Sequence, residues 1–382
     1  MEPEVLSSSL RGGTTFPEHD QRVPGDSGHG GGGGGLQGAR VTVAGAGVIG
    51  LCVALDAQAR GAEVTLVDPG QPLANASAIA AGMVAPAFES ALEEEGQGRL
   101  GLFRAARDLW AEVAHGAVTL RGEGALWAAL PGEEAELARV GSLLQREGAE
   151  WTRLSAEEAR ELNPRLTRRL IGAVFTPEDA RVDPGPALEL LADVFRRQGG
   201  RRVDALLTDP MAELRASDAV VLCAGWGSSR LAKAAPELRT LRPIGGELVR
   251  FPGAETGGGP VIRTSGGYLV PGQAGLIAGA TMVDGSEVQH TTAETQTRYA
   301  RLARSFLPGL KHARYEGAAG IRAATPDGLP LVGRSRTGVQ LVTGFRRNGW
   351  LLAPLAARIT ADQLAGHDPG PWAEAFRPDR FG

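Results

Sequence analysis

Little in this sequence could hold a metal or form a cross-link. Cys52 and Cys223 are the only two cysteines in 382 residues, and both lie inside apolar runs. Two buried thiols do not make a disulfide framework, so a reducing compartment, and with it a cytoplasmic location, is expected. There is no CxxC pair and no Cys/His cluster, and a metal centre is not expected. No apolar stretch approaches the roughly 20 residues of a membrane span. The formal net charge of −4 offers no general basic face, which argues against nucleic acid or a membrane surface as partner. Residues 1–38 are mostly polar and aperiodic. They are rich in Gly, Pro and Ser, cannot offset their own ordering entropy, and are expected to be disordered. They also lack the apolar h-region of a secretory signal.

What is present is ample for a core. With 42% hydrophobic residues, a chain of this length suggests two domains or one large interleaved unit. Order is expected from Arg40. The stretch "RVTVAGAGVIGLCVALDAQARGAEVTLVD" reads as strand, tight Gly turn, helix ending at Gly61, and second strand. A right-handed crossover then makes the two strands parallel. Amphipathic helices are predicted within "GRLGLFRAARDLWAEVAHG" and "EEAELARVGSLLQREG". Ser155 and Glu158 form a capping-box pattern before a short helix, and Asp183 is the predicted N-cap of another. "DAVVLCAGWGSS" reads as a buried strand ending in a Gly turn. "GGELVRF", "GYLVP" and "GLIAGATMV" read as antiparallel sheet, and "GVQLVTGFRRNGWLLAPLAARITADQLAG" returns to strand, turn and helix. The α/β pieces are separated in sequence by antiparallel pieces, so the two parts interleave.

The first chemical signal is Gly45-x-Gly47-x-x-Gly50, placed directly after a strand and opening a helix. Gly45 permits the turn, Gly47 lets a pyrophosphate approach the backbone, and Gly50 lets helix and strand pack closely. The phosphates would then sit on the positive end of the helix. Asp68 ends the second strand, where a carboxylate can accept the ribose hydroxyls. This motif predicts a dinucleotide but does not separate NAD from FAD.

The second signal is the order of several stretches. They run "GAGVIG", "VD", "AAGMVAP", "VVLCAGWGS", "GYLVP", "GATM", "GIRAATPDGLPLVGR" and "GFRRNGWLLAP". Singly, "AAGMVAP" is as readily a tight core turn, and "VVLCAGWGS" an ordinary buried strand. Together, over about residues 40–375, they resemble the D-amino-acid oxidase family of FAD enzymes, and within it the glycine oxidase (ThiO) branch of thiamine biosynthesis. The resemblance implies an α/β fold, α+β overall: a Rossmann-like FAD-binding lobe interleaved with an antiparallel-sheet substrate lobe. The expected boundaries are 39–90, 180–235 and 315–382 for the FAD lobe, and 91–179 and 236–314 for the substrate lobe.

By that resemblance Arg322 is the main carboxylate-binding arginine, Arg347 a second substrate contact, and Tyr268 a hydroxyl that helps hold the carboxylate. Met282 and Met83 line the pocket. FAD, held noncovalently, is expected against Gly45, Gly47, Val48, Ile49, Gly50, Asp68 and Pro69. Its other contacts are expected from Ser77, Ala81, Gly82 and Met83, from Ala224 and Gly225, and from Phe345, Arg346, Arg347, Asn348, Gly349, Trp350 and Leu351. The side chain of Arg346 is expected to face solvent or an acid across the turn. A helix starting after Asn348 would stabilise negative charge on reduced flavin. Phe345 stands where the family often has His or Tyr, and Gly245-Gly246-Glu247 replaces its Lys-Gly-(Glu/Gln) pattern.

The implied reaction is oxidation of glycine, sarcosine or a small D-amino acid to an imine. Oxygen takes the electrons to form hydrogen peroxide, and water converts the imine to oxo acid and ammonia. Such chemistry demands orientation more than a base, which suits a chain whose six histidines fall outside these motifs. The other readings are a D-amino-acid dehydrogenase with a quinone acceptor and an FAD-dependent tRNA-modification module. Assembly into a homo-oligomer is left open.

Overall fold

The structure of the protein is a computed structural model that describes residues 35–70, 75–256, 258–287 and 290–382. The disorder expected over residues 1–38 lies outside the described residues as far as residue 34. The last four residues depart from it. They form a turn in which Leu36 is buried in the first core, and the Gly38 N–H donates to the Gly61 carbonyl at 2.9 Å. An apolar side chain and a backbone bond to the end of the first helix suffice to order them.

Six strands form the first sheet. In spatial order they are Leu331–Arg334, Gln340–Thr343, Ala219–Leu222, Arg40–Ala44, Glu63–Val67 and Arg201–Val203. Arg40–Ala44 pairs in parallel with both neighbours. It is buried at every position but Arg40, as befits a parallel strand covered on both faces. Helix Val48–Ala59 packs against helix Gly349–Ala365 and against helix Pro184–Arg197. The Gly349–Ala365 helix is buried on most of its surface, so its sequence shows an apolar run rather than one apolar stripe.

The second sheet has nine strands and is mostly antiparallel. Its longest strand is Arg242–Pro252, which pairs with Gly275–Gly279 and, along nine residues, with Glu316–Ala324. The motif order groups residues 315–382 with the FAD lobe. The strand Glu316–Ala324 runs instead in this second sheet, because its full length is registered on Arg242–Pro252 with Arg322 opposite Ile244. Likewise Leu102, Phe103, Ala106 and Trp110, expected in the substrate lobe, are buried in the core of the first sheet.

Two local expectations also change. The amphipathic stretch around residues 98–116 is an α-helix only over Leu100–Asp108, followed by 3-10 turns at Leu109–Ala111 and Val113–Gly116. Asp183 stands at the N-cap position of Pro184–Arg197 without a side-chain cap bond. Its carboxylate accepts from Gln273 N at 3.1 Å and pairs with Arg121 at 3.3 Å, so it ties the helix to a strand turn of the second sheet. The capping box at Ser155 and Glu158 forms as expected.

Candidate active site

The glycine turn closes around backbone rather than side chains. A Cβ on Gly45, whose φ is +110°, would lie 2.6 Å from the Cys223 carbonyl oxygen. A Cβ on Gly50 would overlap the carbonyl oxygen of Gly45. The turn therefore tolerates no side chain at either position. Helix Val48–Ala59 opens on Gly47 without a side-chain cap, and its first N–H groups have no acceptor within the helix. Ser77 Oγ accepts from Val48 N at 3.1 Å, which brings the Ser77 loop against the helix end. Asp68 accepts from Ala46 N at 2.6 Å and from Gly70 N at 2.7 Å. A carboxylate has about four acceptor sites, so it retains capacity for hydroxyl donors. Trp350 Nε1 donates to Ser77 O at 3.0 Å, and Trp110 stacks on Trp350 at 5.8 Å between ring centroids.

Beyond the Ser77 loop lies a cavity of about 390 Å³. The loop 80–83, the segment 263–268, Gly279, Ala280 and Met282, and the turn 347–350 all reach it. Five arginines and two glutamates line it, with no histidine and no lysine. Most of that charge is internally matched. Buried Glu89 accepts from Arg263 Nη2 at 2.7 Å and pairs with Arg347 Nε at 3.1 Å. Glu93 pairs with Arg347 Nη1 at 2.5 Å. Arg139 is held by Glu136 through two hydrogen bonds.

Arg322 is different. Among the described residues its side chain makes one hydrogen bond, a long one of 3.5 Å from Nη1 to the Thr281 carbonyl, and has no carboxylate partner. Gly246 makes room for it, since a Cβ there would overlap the Arg322 guanidinium. Burial weakens the hold of Arg322 on its proton, and Tyr268 partly opposes that effect. A buried guanidinium with no counter-ion is costly unless an anion joins it. Tyr268 and Tyr299 line the same cavity, and among the described residues neither hydroxyl makes a hydrogen bond. Burial raises both phenols above their ordinary range, so both remain protonated donors.

Residues 40–363 match the family described as "DAO: FAD dependent oxidoreductase". The chain belongs to the DAO family. It is similar to a Rhizobium etli protein named for the thiamine biosynthesis oxidoreductase ThiO, with 32% identity over 85% of this chain and 96% of the relative. The crystal structure of glycine oxidase from Geobacillus kaustophilus superposes with a TM-score of 0.74 at 26% identity, over 90% of this chain and 99% of that one. That of iminodiacetate oxidase from Chelativorans sp. BNC1 superposes with a TM-score of 0.74 at 25% identity, over 89% and 99%.

FAD is the cofactor of this DAO-family chain, and the glycine turn fits it: Gly45, Gly47 and Gly50 carry no side chain, and the first N–H groups of the helix have no acceptor within it. Val48 and Ile49 are buried beside that turn. Gly225 carries positive φ and starts the 3-10 turn Gly225–Leu231, with Ala224 before it, at the end of the neighbouring strand. Pro69 follows Asp68 at the rim. Ala81, Gly82, Met83, Met282, Tyr268, Arg322, Arg347, Asn348 and Trp350 line the cavity. Phe345 and Leu351 are buried in the first core and do not line the cavity. The helix expected after Asn348 begins at Gly349.

Arg347 lines the cavity with two of its nitrogens already taken by glutamates. Arg346, at a φ of +52°, pairs with Glu93 at 3.4 Å and Glu95 at 3.2 Å. Sequence motifs overlooked Glu89, Arg263 and Tyr299. The available signal for Glu89 was a lone acid within the apolar helix Pro86–Leu92. For Tyr299 it was a hydroxyl on the core face of helix Ala293–Phe306, beside Ala300 and Ala303.

Proposed function

We propose that this chain oxidises a small α-amino acid to its imine, with glycine, sarcosine and small D-amino acids as the substrate class. Supplying glyoxylate imine to thiazole assembly in thiamine biosynthesis is the role in keeping with its 32% identity to the ThiO relative. The observation that carries this reading is Arg322. Among the described residues it is a largely buried cation without a counter-ion, in a cavity whose wall residue Trp350 bonds to Ser77, the residue that meets the helix end at the dinucleotide turn. A planar guanidinium meets a carboxylate with two parallel hydrogen bonds, and the protonated hydroxyls of Tyr268 and Tyr299 can donate to the same two oxygens. Pinning the carboxylate restricts where the α-carbon can lie.

FAD, bound noncovalently, would supply the hydride acceptor, with oxygen as the final acceptor and hydrogen peroxide as the product. The protein's part is orientation and exclusion of water. With no histidine or lysine in the lining, no side chain is available as a neutral base at pH 7. The amine therefore delivers its proton to solvent before its α-hydrogen leaves as hydride. Released imine is then hydrolysed by water to the oxo acid and ammonia.

The test is oxygen consumption by the purified yellow protein with glycine, sarcosine and D-alanine, alongside Arg322→Leu. Charge-assisted hydrogen bonds are worth about 1.5–3 kcal/mol each. Loss of the fork should lower kcat/KM by on the order of 100-fold or more, with FAD content unchanged. Equal activity in the variant and the parent removes the carboxylate assignment. Turnover with quinones but not with oxygen moves the reading to a dehydrogenase.

A further inference from the structure

The cavity holds a second cation without a counter-ion. Arg263 and Arg347 are neutralised by Glu89 and Glu93, and Arg139 by Glu136. That leaves Arg322 and Arg298. Arg298 is exposed on helix Ala293–Phe306 and also lines the cavity. Among the described residues no carboxylate pairs with it, not even Glu294 one turn earlier. Its guanidinium carbon sits 5.2 Å from the ring centroid of the adjacent Tyr299, within cation–π range. Tyr299 is buried, and besides that burial its phenol feels Arg298, Tyr268, Glu247 and Arg322. One tyrosine therefore separates an exposed cation from a largely buried one.

The geometry points to a distal anion subsite at Arg298, so that the preferred substrate is an amino acid carrying a second acidic group. This rests on the proposed amine oxidation and specifies its substrate class. Arg322 takes the carboxylate next to the oxidised carbon, and Arg298 takes the acid at the far end. A neutral amine with two carboxylates carries two negative charges, which match the two unpaired guanidiniums. A substrate with one carboxylate leaves Arg298 facing solvent.

The test compares iminodiacetate with its monoamide, which has nearly the same shape but lacks the second charge, with glycine and sarcosine as references. In the holoenzyme, kcat/KM should favour the diacid over the monoamide by about 10-fold. That lies between the effect of an exposed ion pair and that of a buried charge-assisted bond. Arg298→Gln should bring the ratio close to one through KM, with kcat and the glycine kinetics within about twofold. Arg298→Lys should keep most of the preference. A second readout needs no turnover: glutarate should perturb the flavin absorbance at about tenfold lower concentration than its monoamide, and lose that advantage in Arg298→Gln. A ratio near one in the parent, or one that Arg298→Gln leaves unchanged, overturns the subsite while glycine oxidation stands. If glycine, sarcosine and iminodiacetate are all inert, the amine-oxidase reading falls, and the glutarate titration alone decides whether Arg298 selects anions.

Discussion

The two ends of the site are made of opposite materials. The nucleotide end is glycine and backbone: Gly45 and Gly50 leave no space for a side chain, and the helix end beside them has no side-chain cap. The cavity end is charge: five arginines and two glutamates, most of them interlocked, with Arg322 and Arg298 left open. A backbone site is built from neighbours in sequence and tolerates almost no substitution. A charge site is built from distant segments, and each member is replaceable at a cost set by what it leaves unpaired.

The difference should be sharpest at Gly50. Its Cβ would overlap the Gly45 carbonyl oxygen, a backbone atom that no rotamer change can move aside. Gly50→Val should weaken FAD binding by about 100-fold or more, a loss of nearly 3 kcal/mol, and yield colourless protein. Absorbance near the flavin band against protein concentration checks this. A fully yellow Gly50→Val protein would mean that the turn can open without loss, and the contrast with the cavity end would vanish.

Glu89 is the corresponding point at the cavity end. It is buried between Arg263 and Arg347, and although burial pushes its carboxyl up, the two arginines outweigh this and hold it ionised. Arg347 responds in kind: burial disfavours its charge, but Glu89 and Glu93 raise its affinity for the proton. Glu89→Gln keeps the shape and removes the charge. Breaking one side of a buried pair costs about 3–5 kcal/mol, because the partners stay charged. A clear drop in the urea midpoint is expected, with FAD still bound. Arg263→Met together with Glu89→Gln should recover part of the loss, which separates unpaired charge from altered packing. An unchanged midpoint for Glu89→Gln would mean that solvent reaches this cluster.

The same contrast explains what was legible in the sequence. Gly45, Gly47 and Gly50 form one local pattern with a local physical reason, so the βαβ unit could be read directly. Arg322 and Tyr268 were reached through the order of motifs, not from their own surroundings. Glu89 could not be reached that way, since its partner Arg263 is 174 residues distant. Arg347 was legible as a cavity residue, but nothing near it in sequence shows that Glu89 and Glu93 occupy it. Leu36 and the strand Glu316–Ala324 were misplaced for a related reason. Burial against Val48–Ala59 and register on Arg242–Pro252 are tertiary facts, and composition alone does not contain them.

The smallest expected effect lies one layer behind the charge cluster, and it depends on pH. Asp179 is 1% exposed and accepts from Ala87 N at 2.8 Å and Phe88 N at 3.4 Å, at the start of the helix that carries Glu89. Burial pushes its carboxyl up to about 7, and Glu89 adds to this, while Arg263 and the two amides pull the other way. An unfolded aspartate titrates near 3.9. Between roughly pH 4 and 7 the folded chain therefore holds a proton that the unfolded chain has lost. Folding stability from this group is full below about pH 4 and declines as pH rises towards 7, the reverse of a salt-bridged carboxylate. Asp179→Asn keeps an oxygen acceptor for Ala87 N and removes the titration. Relative to the parent, its Tm should gain from about pH 4 to pH 7 and level off above that, with FAD content constant. Parallel Tm curves for the two proteins would place the charge of Asp179 in contact with solvent or fully matched by Arg263. The helix would then be held by an ordinary ionised cap, and the charged end of the site would have no buried neutral acid behind it.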